Sequence, residues 1–378
     1  MAGSVGATPC GCPKNKDRHG ACPYRGLFGM ADKIDQTSIG DRNIIAGSGP
    51  VTVKNITQNY YGSVPFSSEA QGIKPQADSQ PPKGSIEQSQ PDYTPYTAAL
   101  PPAFVGRKRE LRRLADCLEQ GNSVLVQGDF RIGKTSLLRT WEQQARAAGR
   151  EVHFLDGQDK PGHSPACLVA QVTGNGCADD PDEAADRLRA WAVQQPLPPL
   201  LLLDEAPAFV RNYPHRFFER LRAMLGQVQL VISTPRDLDA LYQEINQTSP
   251  FGNMLRFFWL GLLDLEAATE LASRSGQADL LLQWVGCHPF YIQLLGQHLV
   301  QAEAEGLSHQ EALEEFQEEA IKQLEKIWRV LSEQERKTLF AASREELMNS
   351  RRLCKRGLLN QENAPFGEIL RLFLEEQA

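Results

Sequence analysis

The 378-residue chain reads as α/β: a parallel sheet with helices on its faces, then an all-helical part, preceded by a long N-terminal region with no core of its own. Three observations predict this. From about Phe104 onward, strand-like and helix-like segments alternate, the pattern of a parallel sheet. After Asp264, a good N-cap residue, nearly every segment has helical periodicity. Before Phe104, residues 62–102 hold eight prolines among Ser, Gln and Gly. Such a stretch offers too little apolar surface to offset its ordering entropy, so a disordered linker is expected there. Random-coil scaling gives it an end-to-end distance of roughly 35 Å.

Taken in order, residues 1–29 are irregular and rich in Gly, Cys and Pro. Met30-Ala31-Asp32-Lys33 would make a conventional start, so 1–29 reads as the product of an upstream start codon. Cys10, Cys12, His19 and Cys22 are four potential zinc ligands, but their spacing fits no known finger, and an unstructured segment is expected. Residues 30–61 are polar and β-branched. Within them, 38–59 carries Ile44, Ile45, Val51, Val53 and Ile56 with Asn, Gln and little net charge, the traits of a segment that stacks into cross-β with its own copies. An inert polar tail is the competing reading, because Pro50 and several glycines weaken any single strand. Further on, 123–127 reads as a buried strand and 134–148 as a helix stopped by Gly149. Strands are then expected at 152–155, 200–203, 229–232 and 255–260, with a helix at 217–225.

Charge excludes some functions. Forty basic side chains face 47 acidic ones, a net charge of −7, which argues against broad coating of nucleic acid while leaving room for a local basic site. No apolar run approaches the roughly 18–20 residues of a membrane helix, and the N-terminus does not resemble a signal peptide. A cytoplasmic protein with no membrane contact is expected, its eight cysteines reduced.

The sharpest signal is Gly128-Asp129-Phe130-Arg131-Ile132-Gly133-Lys134-Thr135, a full match to G-x-x-x-x-G-K-[ST] between a strand and a helix that Ser136 continues. Its glycines let backbone N–H groups turn onto phosphate oxygens, helped by the positive end of the helix. Lys134 is expected to bridge β- and γ-phosphates and Thr135 to ligate Mg²⁺. The run Leu200-Leu201-Leu202-Leu203-Asp204-Glu205 supplies the acidic half of the site. Asp204 would hold Mg²⁺ through water, and Glu205 would orient the attacking water. The fold expected from this pair is a P-loop nucleoside triphosphatase, with ATP/ADP and Mg²⁺ as cofactors.

Around this loop the sequence resembles the STAND signalling ATPases and related origin-recognition AAA+ proteins. Pro102-Ala103-Phe104-Val105-Gly106-Arg107-Lys108-Arg109-Glu110 resembles their F-V-G-R-x-x-E segment, which implies Val105, Gly106 and Arg107 against adenine and ribose. Leu230-Val231-Ile232-Ser233-Thr234-Pro235-Arg236-Asp237 resembles their fourth-strand sensor, which implies Arg236 at the γ-phosphate. Gly286-Cys287-His288-Pro289-Phe290 resembles the glycine–proline motif of the STAND lid, which implies Pro289 against the base. His288 itself is read as a packing or capping group. From Trp328 on, the sequence resembles a winged helix: Ser332 and Glu335 form a capping box, 350–356 a second helix, and 366–374 a wing strand or closing helix.

The resemblance covers residues 102–378 and implies an ATPase domain at 103–262, a helical lid at 263–320 and a winged helix at 321–378, behind an N-terminal tail at 1–61 and the linker at 62–102. It implies a slowly hydrolysing switch that forms homo-oligomers. Motif 38–59, similar to the amyloid-signalling motifs of such proteins, would then engage a separate effector carrying a like motif. There are two departures: no Met-His-Asp string occurs in the winged helix, and no repeat sensor follows it. The rivals are a DNA-handling AAA+ ATPase and a scaffold whose nucleotide is structural. For the first, the cluster Arg351, Arg352, Lys355 and Arg356 sits where a recognition helix would lie. Residues 326–378 hold only 10 basic against 8 acidic side chains, so DNA contact is not expected.

Overall fold

A computed structural model describes residues 93–176, 178–346 and 350–378. The tail, the candidate motif at 38–59, the four candidate zinc ligands and most of the expected linker lie outside the described residues.

Five parallel strands form one sheet: β1 (Ser123–Gln127), β2 (Val152–Asp156), β3 (Leu200–Asp204), β4 (Gln229–Thr234) and β5 (Leu255–Trp259), in the order β2-β3-β4-β1-β5. Every residue of β1, β3 and β4 is buried, as continuous apolar runs in a sheet covered on both sides require. Alternation sorts their side chains between two cores. Val124, Val126, Leu200, Leu202 and Val231 join Leu114 and Leu118 of helix α1 (Lys108–Glu119) and Leu137 and Leu138 of α2 (Lys134–Ala147) on one face. Leu125, Leu201, Leu203, Leu230 and Ile232 pack on the other face. There they meet α3 (Pro165–Thr173), α4 (Pro181–Ala192), α5 (Ala206–Asn212), α6 (His215–Ala223) and α7 (Leu238–Glu244). A Pro in the first turn and a side-chain cap, Ser164 or Asp180, start α3 and α4.

The helical part comprises α8 (Leu265–Ala272), α9 (Ala278–Val285), α10 (Pro289–Glu305), α11 (His309–Val330), α12 (Glu333–Ser343), α13 (Arg351–Arg356) and α14 (Glu368–Glu376). Asp264 caps α8, accepting from Ala267 N at 2.8 Å. The expected box at Ser332 and Glu335 is formed, and Ser308 with Glu311 makes a second one on α11.

Two boundaries differ from expectation, and at a third place one of the two expected readings is formed. Residues 321–378 do not separate from 263–320. Helix α11 runs through the division without a break, and Ala312, Phe316, Ala320, Leu324 and Ile327 all enter one core shared with α8–α10 and α12–α14. Order also begins before Phe104. Tyr93 is buried in that core, and its hydroxyl donates to Leu271 O and Ala272 O at 3.1 and 3.2 Å. A Cβ on Gly296 would overlap the Tyr93 ring, so glycine there makes the notch that the ring fills. Finally, 366–374 takes the helical alternative as α14, and strand pairing among the described C-terminal residues is one antiparallel bridge, Leu359 to Pro365. No helix among the described residues is long and apolar enough to cross a membrane.

Candidate functional site

The loop at 128–135 leaves β1 and turns into α2 through Gly133, whose φ of 96° only glycine adopts without strain. Gly128 is fixed by space: a Cβ there would lie 2.7 Å from Ile132 Cγ2 and from Leu260 O. Beyond the loop lies a cavity of about 430 Å³, within the range of small-molecule sites. Residues 130–136, Val105, Arg107, Glu205 and, at the start of α10, Pro289 and Phe290 line it.

Lys134 is 6% exposed, and its ammonium donates to Asp129 O at 3.0 Å, its one partner among the described residues. Burial pulls its pKa down, against the carboxylates of Glu205, Asp204 and Asp129. A buried cation met only by a carbonyl is a ready partner for an anion. Thr135 Oγ1 donates to Asp204 Oδ2 at 2.6 Å, and the Ser233 hydroxyl donates to the other carboxylate oxygen. A hydroxyl paired with a buried carboxylate is a donor set suited to Mg²⁺. Glu205 follows in the left-handed conformation, φ 56° and ψ 55°, with its N–H held by Ser233 Oγ at 3.4 Å. Burial raises its carboxyl above the ordinary range, with Lys134 pulling the other way. These residues fit a nucleoside triphosphate with Mg²⁺. Lys134 and the loop N–H groups would hold the phosphates, Thr135 and Asp204 the metal, and Glu205 would orient water.

Several expected residues are placed differently. Asp129 does not line the cavity; its carboxylate is bound by Arg356. Arg107 lines the cavity edge, but its guanidinium is spent on the chain itself. It donates to Leu262 O (3.1 Å), Ile132 O (3.1 Å) and Gly261 O (2.7 Å), tying the loop to the segment after β5. Gly106 lies behind the cavity, where φ of 64° and Ala267 against its Cα demand glycine. Arg236 is not brought to the cavity: it forms a two-bond pair with Glu244 of α7 at 2.7 and 3.1 Å, on the surface. Arg356 is buried rather than offered with Arg351, Arg352 and Lys355. His288 is buried against Tyr291 and Phe366, in the packing role expected of it.

Sequence reasoning missed the segment 95–99, which also lines the cavity. Thr94 N donates to Gln293 Oε1 at 2.9 Å and Ala99 N to Ser136 Oγ at 3.0 Å. Arg131 of the loop lies 4.9 Å from the Tyr96 ring and 5.1 Å from that of Phe290, so cation–π attraction ties the strap at 95–99 to the start of α10. Two tyrosines three apart in a proline-rich stretch were the available signal.

No protein-family model and no curated protein sequence matches the chain. Among solved structures, the chain is similar to the Walker-type ATPase PABY2304 of Pyrococcus abyssi. The identity is 15%, 73% of this chain and 97% of that one are covered, and the TM-score is 0.52. It also matches the ORC2 protein of Aeropyrum pernix in ADPNP and ADP complexes, at 14% identity over 72% and 96% of the chains with TM-score 0.47. AMPPCP-bound DnaA from Aquifex aeolicus matches at 16% over 76% and 92%, with TM-score 0.40. The fold is that of a P-loop ATPase.

Proposed function

We propose that the chain binds ATP with Mg²⁺ and hydrolyses it slowly, as a conformational switch of the STAND type. The observation that carries this is the gathering of Lys134, Thr135 and Glu205 at one cavity with Pro289 and Phe290 of the lid, and with Asp204 bonded to Thr135. Bound Mg²⁺ would supply charge neutralisation at the phosphates. The chain's own part is to position. Lys134 offers a fixed cation, the loop offers N–H groups, and Glu205 holds a carboxylate where burial makes it a better proton acceptor. A ligand moves such a switch only by binding its two states with different affinity. The close packing of the C-terminal helices against the loop supports that reading.

Signalling would pass through the N-terminal region to a separate effector, by way of the motif at 38–59 and an oligomer of the chain. The deciding experiment is titration calorimetry with ATP·Mg²⁺ on the parent and on Lys134→Ala. A loss of at least 100-fold is expected, and affinity kept within a few-fold overturns the site. Light scattering in ATP against ADP then tests assembly.

The DNA-handling reading rests on a specific observation: α13 leaves Arg351, Arg352 and Lys355 exposed. Arg352 is already paired with Glu335 at 3.2 Å and Arg356 is withdrawn, which thins that face. A tight, salt-sensitive complex with duplex DNA, lost on reversing Arg351 and Lys355, would favour this reading over signalling.

A further inference from the structure

The second residue of the phosphate loop is an acid, and Asp129 is 1% exposed. A buried carboxylate beside a polyphosphate site opposes the binding of an anion, so its neutralisation must be accounted for. Among the described residues, apart from Phe130 N at 3.0 Å, the group that hydrogen-bonds it is Arg356, with Nε at 2.8 Å and Nη2 at 2.7 Å. Arg356 ends α13, with its side chain 8% exposed, and its Nη1 donates to Glu335 Oε1 at 2.9 Å. Glu335 closes the capping box of α12 by accepting from Ser332 N at 2.9 Å. One guanidinium therefore ties the loop, α13 and the first turn of α12 together. The contact is close in shape as well as charge. Gly357, at φ 79°, would place a Cβ 3.0 Å from Ile132 Cδ1, so the end of α13 sits directly on the loop.

We propose that Arg356 is a positioning residue for the phosphate loop, the counter-ion that lets Asp129 stand beside a bound nucleoside polyphosphate, and that docking of the C-terminal helices thereby sets nucleotide affinity. The proposal rests on the nucleotide-binding reading above. When α13 is docked, the loop presents Lys134 with the Asp129 charge cancelled. When α13 leaves, it takes Arg356 with it, the Asp129 charge then works against Lys134, and the loop holds nucleotide less tightly. By linkage, nucleotide must tighten docking by the same factor.

The test uses the full chain with a fluorescent ATP analogue and Mg²⁺, together with hydrogen exchange in peptides covering α12 and α13. Arg356→Gln is expected to weaken nucleotide at least 10-fold. Adding Asp129→Asn to it is expected to recover most of that loss, because a neutral side chain needs no counter-ion. A merely structural role for Arg356 predicts no recovery. Parent-like affinity in Arg356→Gln, or a double variant as weak as the single one, overturns the proposal.

Should Arg356→Gln fail to fold, Asp129→Asn alone decides. Exchange in α13 should then rise, and nucleotide should no longer slow it as it does in the parent. Unchanged exchange and intact protection would refute the coupling. A parent that binds no nucleotide sinks the nucleotide reading, and the counter-ion role for nucleotide falls with it. Faster α13 exchange in Asp129→Asn without nucleotide would then show only that the ion pair holds the helix down.

Discussion

Thr135, at the start of α2, and Asp204, at the end of β3, meet at 2.6 Å although β1, which leads into α2, is not a neighbour of β3: β4 lies between them. The gap is bridged from β4 itself, where Ser233 donates to the second carboxylate oxygen of Asp204. The pair is thus built at the C-terminal edge of three strands, where open α/β sheets place their ligands. If Asp204 holds the metal with Thr135, Asp204→Asn should make nucleotide affinity indifferent to Mg²⁺. The parent should lose at least 10-fold on chelation. Binding curves with and without EDTA check this, and a metal response kept by the variant would move the metal elsewhere.

Glu205→Gln keeps size and hydrogen bonding while removing the carboxylate. Nucleotide affinity should stay within about threefold while turnover drops about 100-fold, the usual range for losing general-base assistance. Rapid-quench measurement of a single turnover separates the two. A variant that turns over at the parental rate assigns the water to another group.

His288 gives the chain an acid-sensitive point. Burial, with Arg107 adding to it, pushes the imidazole down to about 3. The unfolded chain binds its proton near pH 6.5 and the folded chain does not, so stability is fully present above 6.5 and is lost as pH falls toward 3. The slope reaches at most about 1.4 kcal/mol per pH unit for one proton. His288→Phe keeps the ring against Tyr291 and Phe366. Urea melts from pH 7 to 4 should show a shallower fall in that variant, and parallel curves would count against a buried neutral imidazole.

Tyr93→Ala should cost about 3 kcal/mol, the usual loss for a buried aromatic ring, because the notch at Gly296 is left empty. Tyr93→Phe keeps the ring and gives up the bonds to Leu271 O and Ala272 O, about 1 kcal/mol. Chemical denaturation measures both. Equal losses would mean that the hydroxyl, rather than the ring, holds the strap.

What could be read from the sequence was local. The loop at 128–135 and the run ending in Asp204 and Glu205 carry their own chemistry, and buried strands such as Ser123–Gln127 announce themselves by composition. The box at Ser332 and Glu335 spans one helical turn, so spacing alone discloses it. Arg356 could not be read this way. It lies 227 residues from Asp129, and only packing of the helical body decides that it turns inward while Arg351 and Lys355 stay in water. Arg236 failed for a related reason: Glu244, the last residue of α7, captures it before it reaches the cavity. Tyr93 and Tyr96 were hidden by the prolines around them, since composition reports average polarity and is blind to single anchors.

Helix α11 has a mechanical consequence. Its 22 residues form a rod of about 33 Å. It packs along α10 and against α14, and it runs directly into α12, whose Glu335 shares the guanidinium of Arg356. A tilt of only about 10° in a rod of that length displaces one tip by about 6 Å relative to the other. That exceeds the reach of an ion pair now closed at 2.7 Å. If α12 and α13 follow the rod as one body, a small tilt of α11 is enough to part Arg356 from Asp129.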